Sequence, residues 1–139
     1  MKAKYISKSI AEQIGWLPAD TRLAIYVRDG FACVYCGAAF EDGTRLAIDH
    51  VLPRDLGGPD VPANLVTCCF ECNGDKRNMT LATYLRHLND YGRGSDEIFD
   101  RVYTAMHRPL KIAYAKRLLK KRVYRVAGSR LLVALNLGE

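Results

Sequence analysis

Between Arg101 and Gly138 the chain has no aspartate or glutamate at all, while ten lysines and arginines fall in the same stretch. Without counter-charge the C-terminal third is a basic arm. Residues 1–100 hold 11 basic against 14 acidic side chains, so the formal charge of +6 is concentrated in that arm. Such a balance draws an anionic partner, most often nucleic acid, unless the charges simply solvate a helix face. Also missing is any run of about eighteen apolar residues, which excludes a membrane-spanning helix, and no membrane partner is expected. The start, Met1 to Ser7, lacks the apolar stretch of a secretory leader, and a cytoplasmic location is expected. A disulfide framework is not expected there. There is no internal repeat and no low-complexity segment.

Against these absences stand five cysteines, four of them in two Cys-x-x-Cys pairs, Cys33 with Cys36 and Cys69 with Cys72. In a reducing compartment these read as metal ligands, since each pair offers two sulfurs from one tight turn and two pairs close a tetrahedral Zn²⁺ site. Gly37 lets the first turn curl. The fifth, Cys68, reads as a small buried hydrophobe. Thirty-two residues separate Cys36 from Cys69, more than a simple zinc ribbon uses, so an inserted unit is pinned at both ends by the metal. That unit carries Asp49-His50, Asn64 and, just past the second pair, Asn73, residue types that ligate metals or move protons. An isolated Asp-His is most often a hydrogen-bonded surface pair. His87 and His107 have no comparable flanks and read as helix-surface residues.

Taken in order, residues 1–20 form an N-terminal extension. Pro18, or Asp20 or Thr21 as a cap, opens a helix that Gly30 stops. Phe31 to Gly37 reads as a strand entering the first metal turn, and Thr44 to Val51 as a second strand. Strict alternation would put Asp49 and His50 on opposite faces unless the chain bends before Pro53. Gly57, Gly58, Pro59 and Pro62 make 54–63 a loop, and Asn64 to Thr67 a return strand. A helix is expected near Asn73 to Lys76, another capped by Thr80, and another from Ser95 to Pro109. A basic amphipathic helix is expected from Leu110 to Val126, with Leu118, Leu119 and Val123 inward. Leu131 to Leu137 is ambiguous between strand and helix.

The run Cys33-Val34-Tyr35-Cys36-Gly37, Ile48-Asp49-His50-Val51-Leu52-Pro53, Gly57-Gly58, Asn64-Leu65 and Cys69-Phe70-Glu71-Cys72-Asn73-Gly74-Asp75-Lys76 resembles the HNH endonucleases over about residues 20–80. The resemblance implies an α+β fold: a ββα-metal core over residues 21–80 pinned by a four-cysteine zinc site, with flanking N-terminal helices and a helical basic C-terminal extension over 81–139. It implies that His50 is the general base, suited by an ordinary imidazole pKa of about 6.5. Asp49 and Asn73 would hold one Mg²⁺ or Mn²⁺ through oxygen, and Asn64 would hold the hairpin loop and orient the base. The third motif position is Asn73 where the name-giving pattern has histidine; an oxygen donor there favours a hard cation. Contacts to DNA are expected from Arg54, Lys76 and Arg77 near the cut, and from Lys116, Arg117, Lys120, Lys121 and Arg122 on the basic helix. The expected function is a metal-dependent endonuclease acting on DNA. The alternative is a zinc-stabilised nucleic-acid-binding module without catalysis. The apolar C-terminal tail also suggests a homodimer through the C-terminal extension.

Overall fold

The computed structural model describes residues 17–133; the N-terminal extension as far as residue 16, and the part of the apolar tail beyond 133, lie outside the described residues. Helix α1, Ala19–Arg28, begins behind Pro18, whose carbonyl accepts the amide of Arg22 at 3.0 Å. It ends where Gly30 takes a left-handed φ of 71°. Leu23, Ala24, Ile25 and Tyr26 are buried along it. Asp29, just past its end, accepts the amide of Thr67 at 2.8 Å, which ties the helix to the strand beneath it.

The central hairpin pairs β1, Leu46–His50, with β2, Leu65–Cys69, antiparallel, with Asp49 opposite Val66 and His50 opposite Leu65. All five residues of β2 are buried. Helix α2, Phe70–Lys76, begins without a loop: Cys69 is both the last strand residue and the helix cap, its sulfur accepting the Cys72 amide at 3.3 Å. Strand, strand and helix thus form one ββα unit. Between the strands, residues 51–64 make two single 3₁₀ turns, Arg54–Leu56 and Pro62–Asn64.

Helix α3, Leu81–Asp90, is capped by the Thr80 hydroxyl, which accepts the Thr83 amide at 3.2 Å. Helix α4, Ser95–His107, buries Ile98, Val102 and Ala105. Its Arg101 reaches across to donate to the carbonyls of Val34 and Tyr35, both at 2.9 Å. Helix α5, Ile112–Lys120, packs on α1.

Two expectations need correction. The segment from Phe31 to Gly37 is no strand; it makes one isolated bridge, Ala32 to Ala39, and then a knuckle in which the Gly37 amide returns to the Cys33 carbonyl at 2.8 Å. The basic helix stops at Lys120 and does not reach Val126. Arg122 adopts a left-handed φ of 57°, and the amides of Arg122 and Val123 close back on the carbonyls of Leu119 and Leu118, the pattern of a helix-ending Schellman motif with arginine where glycine is usual. Val123 is consequently exposed, while Leu118 and Leu119 stay half-buried.

Beyond this turn the chain makes a second hairpin, β3 Tyr124–Ala127 and β4 Arg130–Val133, joined by Gly128-Ser129 with Gly128 at a φ of 62°. Gly-Ser between two short β-prone runs is a tight hairpin signal. Strand β4 lies against β1, with Ala47 opposite Arg130, so the sheet order is β2-β1-β4-β3. Arg22 and Tyr26 of α1 donate to the carbonyls of Gly128 and Ser129, and the Ile48 amide donates to the Ser129 carbonyl at 3.1 Å. The C-terminal hairpin therefore extends the same sheet that carries Asp49 and His50. No helix among the described residues is long and apolar enough to cross a membrane.

Candidate active site

The two cysteine turns meet. The sulfurs of Cys33, Cys36, Cys69 and Cys72 all lie within 4.8 Å of one another, with Cys36 and Cys69 at 3.7 Å. Zn–S bonds of about 2.3 Å put tetrahedral thiolates about 3.8 Å apart, so the donor set is of the right kind and size for zinc. Each pair is braced by its own backbone, Cys36 N–H pointing at the Cys33 sulfur and Cys72 N–H at the Cys69 sulfur. The hydrogen bond from Cys72, aided by nearby amides and working against burial, pulls the Cys33 thiol down to about 5. Burial pushes Cys36 up to about 11, and Cys72 is raised by its bond to Cys33 and by burial. Metal ligation requires the cysteines as thiolates, so a bound cation would favour their deprotonation. Cys68 is fully buried outside this cluster.

A polar cleft of about 300 Å³ is lined by Asp49, His50, Arg54, Asn73, Arg77 and Ser129, among others. Asp49 and His50 share it although they are sequential strand residues, because β1 ends at His50 and the chain turns. The turn is fixed by Asn64: its Oδ1 accepts the Leu52 amide at 2.9 Å, and its Nδ2 donates to the carbonyls of Leu52 and Pro59, each at 3.1 Å.

Asp49 is only 6% exposed, and its Oδ2 receives the Tyr35 hydroxyl at 2.7 Å and the Lys76 ammonium at 3.2 Å. Burial raises its pKa; the Lys76 charge and the Tyr35 hydrogen bond oppose that rise. His50 Nε2 lies 2.6 Å from Asp60 Oδ1, which also takes Arg54 at 3.1 Å. Partial burial pushes the Asp60 carboxyl upward, but the bonds to His50 and Arg54 outweigh it and hold the group below the usual carboxylate range. A carboxylate at Nε2 places the proton on that nitrogen, so the acceptor lone pair of neutral His50 is on Nδ1.

Of the arginines and lysines expected to meet DNA, Arg54 and Arg77 line the cleft. Lys76 does not: it is fully buried, its ammonium held by Asp49 and, at 3.1 Å, by the His50 carbonyl. A seven-residue helix that turns its last lysine inward cannot offer it to a phosphate, and that expectation is corrected. Lys116, Arg117, Lys120, Lys121 and Arg122 are exposed on α5 and the turn after it, outside the cleft lining. Lys116 lies 3.8 Å from Asp20, and Arg117 sits over the Tyr114 ring.

Three residues of the site are not evident in the sequence. Asp60 is hidden in the Gly/Pro-rich loop, where an acid could have been sought as the orienter that a basic histidine needs. Tyr35 lies inside the first Cys-x-x-Cys, and Ser129 comes from the C-terminal hairpin; neither carries a signal of its own.

The loop makes one strong steric prediction. A Cβ on Gly58 would stand 1.7 Å from the Leu52 carbonyl oxygen and 2.9 Å from Asn64 Nδ2. Since backbone would have to move, Gly58→Ala is expected to cost roughly 1–3 kcal/mol and loosen the Asn64 bracket. Urea unfolding of the two proteins measures it; an unchanged midpoint would show that the bracket is soft.

Residues 33–79 match the family model described as HNH endonuclease. Over that stretch the chain is similar to the HNH endonucleases. The match runs from the first cysteine of the knuckle to just past α2, so it takes in both cysteine pairs, the β1–β2 hairpin and the cleft residues on them. No curated protein matches the chain. Helix α1, helices α3 to α5 and the second hairpin lie outside the matched stretch, yet α1 and β4 brace that stretch directly. The match to the HNH endonuclease model points to a nuclease-type function, and the four-cysteine cluster is a candidate zinc site beside it.

Proposed function

We propose that the protein is a metal-dependent endonuclease that hydrolyses DNA phosphodiester bonds. The supporting observation is the convergence of Asp49, His50 and Asn73 on one polar cleft, with the His50 ring held by Asp60. Asp49 and Asn73 are the protein donors suited to one hard divalent cation, Mg²⁺ or Mn²⁺, because both offer oxygen and neither is a soft ligand. Tyr35 and Lys76 both hold Asp49 through Oδ2, and the carboxylate they fix would be one of the groups holding the cation. When bound, that cation supplies Lewis-acid stabilisation of the charge growing on the phosphate and on the leaving 3′ oxygen.

The remaining chemistry belongs to the chain. His50 accepts a proton from a water as its oxygen bonds to phosphorus, the bond from phosphorus to the 3′ oxygen breaks, that oxygen takes a proton from solvent, and the products carry a 5′-phosphate and a 3′-hydroxyl. Asp60 keeps the imidazole aimed and in one tautomer. Arg54 and Arg77 on the cleft wall offset the charge of the backbone entering it, and the exposed basic residues from Lys116 to Arg122 add sequence-independent, salt-sensitive affinity.

Zinc-loaded protein incubated with supercoiled plasmid in metal-depleted buffer is expected to leave the plasmid intact, and to nick or linearise it once Mg²⁺ or Mn²⁺ is added. Retardation of the DNA without cleavage under either metal would instead identify a zinc-stabilised binding module.

A further inference from the structure

The two groups that grip Asp49 come from the two halves of the cysteine centre. Tyr35 stands between Cys33 and Cys36, and Lys76 ends the helix that Cys69 caps and whose first turn holds Cys72. Tyr35 is fully buried, its ring edge-on to Tyr84 with centroids 5.3 Å apart, and its hydroxyl donates to Asp49 Oδ2 at 2.7 Å. Its backbone is equally fixed. Arg101 of α4 holds the carbonyls of Val34 and Tyr35, and the Val34 amide donates to the Thr67 carbonyl on β2 at 3.0 Å. A phenol with so little freedom sets where the carboxylate oxygen can sit.

We propose that Tyr35 is a positioning residue of the nuclease site, transmitting the geometry of the four-cysteine knuckle to Asp49 and thereby setting that carboxylate's affinity for the catalytic divalent cation. This rests on the reading of Asp49 as a cation ligand. By this account the cysteine centre does more than hold the fold, because the residue it spans orients a ligand of the cleft. Arg101, outside the matched family stretch, backs the same contact. Hydrogen-bond partners that orient metal ligands typically change affinity by about 10–100-fold when removed.

The test is Mn²⁺ binding to zinc-loaded protein, read by the electron paramagnetic resonance signal of free Mn²⁺. Tyr35→Phe removes one oxygen and keeps the ring packing. It is expected to keep one zinc per chain and to bind Mn²⁺ about tenfold more weakly, with the Mn²⁺ concentration for half-maximal plasmid cleavage rising in parallel and the rate at saturating Mn²⁺ largely restored. Arg101→Met, with the Tyr35 hydroxyl intact but the knuckle backbone released, is expected to show a smaller shift in the same direction. It carries the test if Tyr35→Phe fails to fold. Equal Mn²⁺ affinity in wild type and variants would overturn the inference while leaving the nuclease reading standing. A wild-type protein that binds no Mn²⁺ would overturn both.

Discussion

Lys76→Met is expected to destabilise the protein by about 3–5 kcal/mol near neutral pH, because it leaves Asp49 buried without its counter-ion. The lysine is 0% and the aspartate 6% exposed, so solvent cannot replace the lost partner. In a domain of this size the melting temperature should fall on the order of 10 °C. The pH dependence is set by the sign of the Asp49 shift. Its folded pKa already lies above the ordinary carboxylate value through burial, and Lys76 opposes that rise. Removing the lysine raises it further. A raised folded pKa means that the folded state favours the protonated acid, a contribution present below the unfolded pKa and lost as pH climbs through the folded one. The penalty of Lys76→Met should therefore grow with rising pH and shrink in mild acid, where Asp49 takes up a proton. Adding Asp49→Asn should recover much of the loss, since neither charge then remains buried. Thermal melts of the wild type and the two variants across pH check this; a penalty independent of pH would place the lysine's contribution in packing instead.

His50→Ala should leave the fold nearly untouched and lower the cleavage rate by about 10²–10⁴-fold, the range for removal of a general base. The imidazole is partly open to solvent and its partner Asp60 keeps Arg54 at 3.1 Å, so no orphaned charge is created. The effect should therefore appear in single-turnover cleavage with Mn²⁺ binding and DNA retardation preserved. Asp60→Asn, which keeps the ring but weakens its anchor, should fall between the two. If His50→Ala cleaves like wild type, the proton goes elsewhere and the cleft chemistry proposed for it is wrong.

How legible each feature is in the sequence depends on how local it is. Cysteine pairs declare themselves by a spacing of three residues, and the Asp-His, Asn and Asn positions fall in an order similar to that of the HNH endonucleases. The β1–β2 hairpin and α2 lie close to one another in sequence, and their residues are read nearly in place. The features that sequence does not reveal depend on contacts far apart in the chain or on an unusual local choice. The helix expected to reach Val126 ends early because Arg122 occupies a left-handed position that composition assigns to glycine. The place of β4 beside β1 depends on a pairing between Ala47 and Arg130 that no window of sequence contains. Lys76 looks solvent-facing in sequence because a seven-residue helix is too short for its periodicity to reveal which side is buried. Asp60 reaches His50 only after Asn64 has folded the loop back.

The most direct test of the account is metal-started cleavage of supercoiled plasmid by wild-type and Asp49→Asn proteins, each confirmed to carry one zinc. The account predicts nicked or linear DNA from the wild type only after Mg²⁺ or Mn²⁺ is added, and intact plasmid from Asp49→Asn under the same metal. Equal cleavage by both proteins, or none by the wild type with either metal, would contradict the assignment of the Asp49, His50 and Asn73 cleft as a nuclease site.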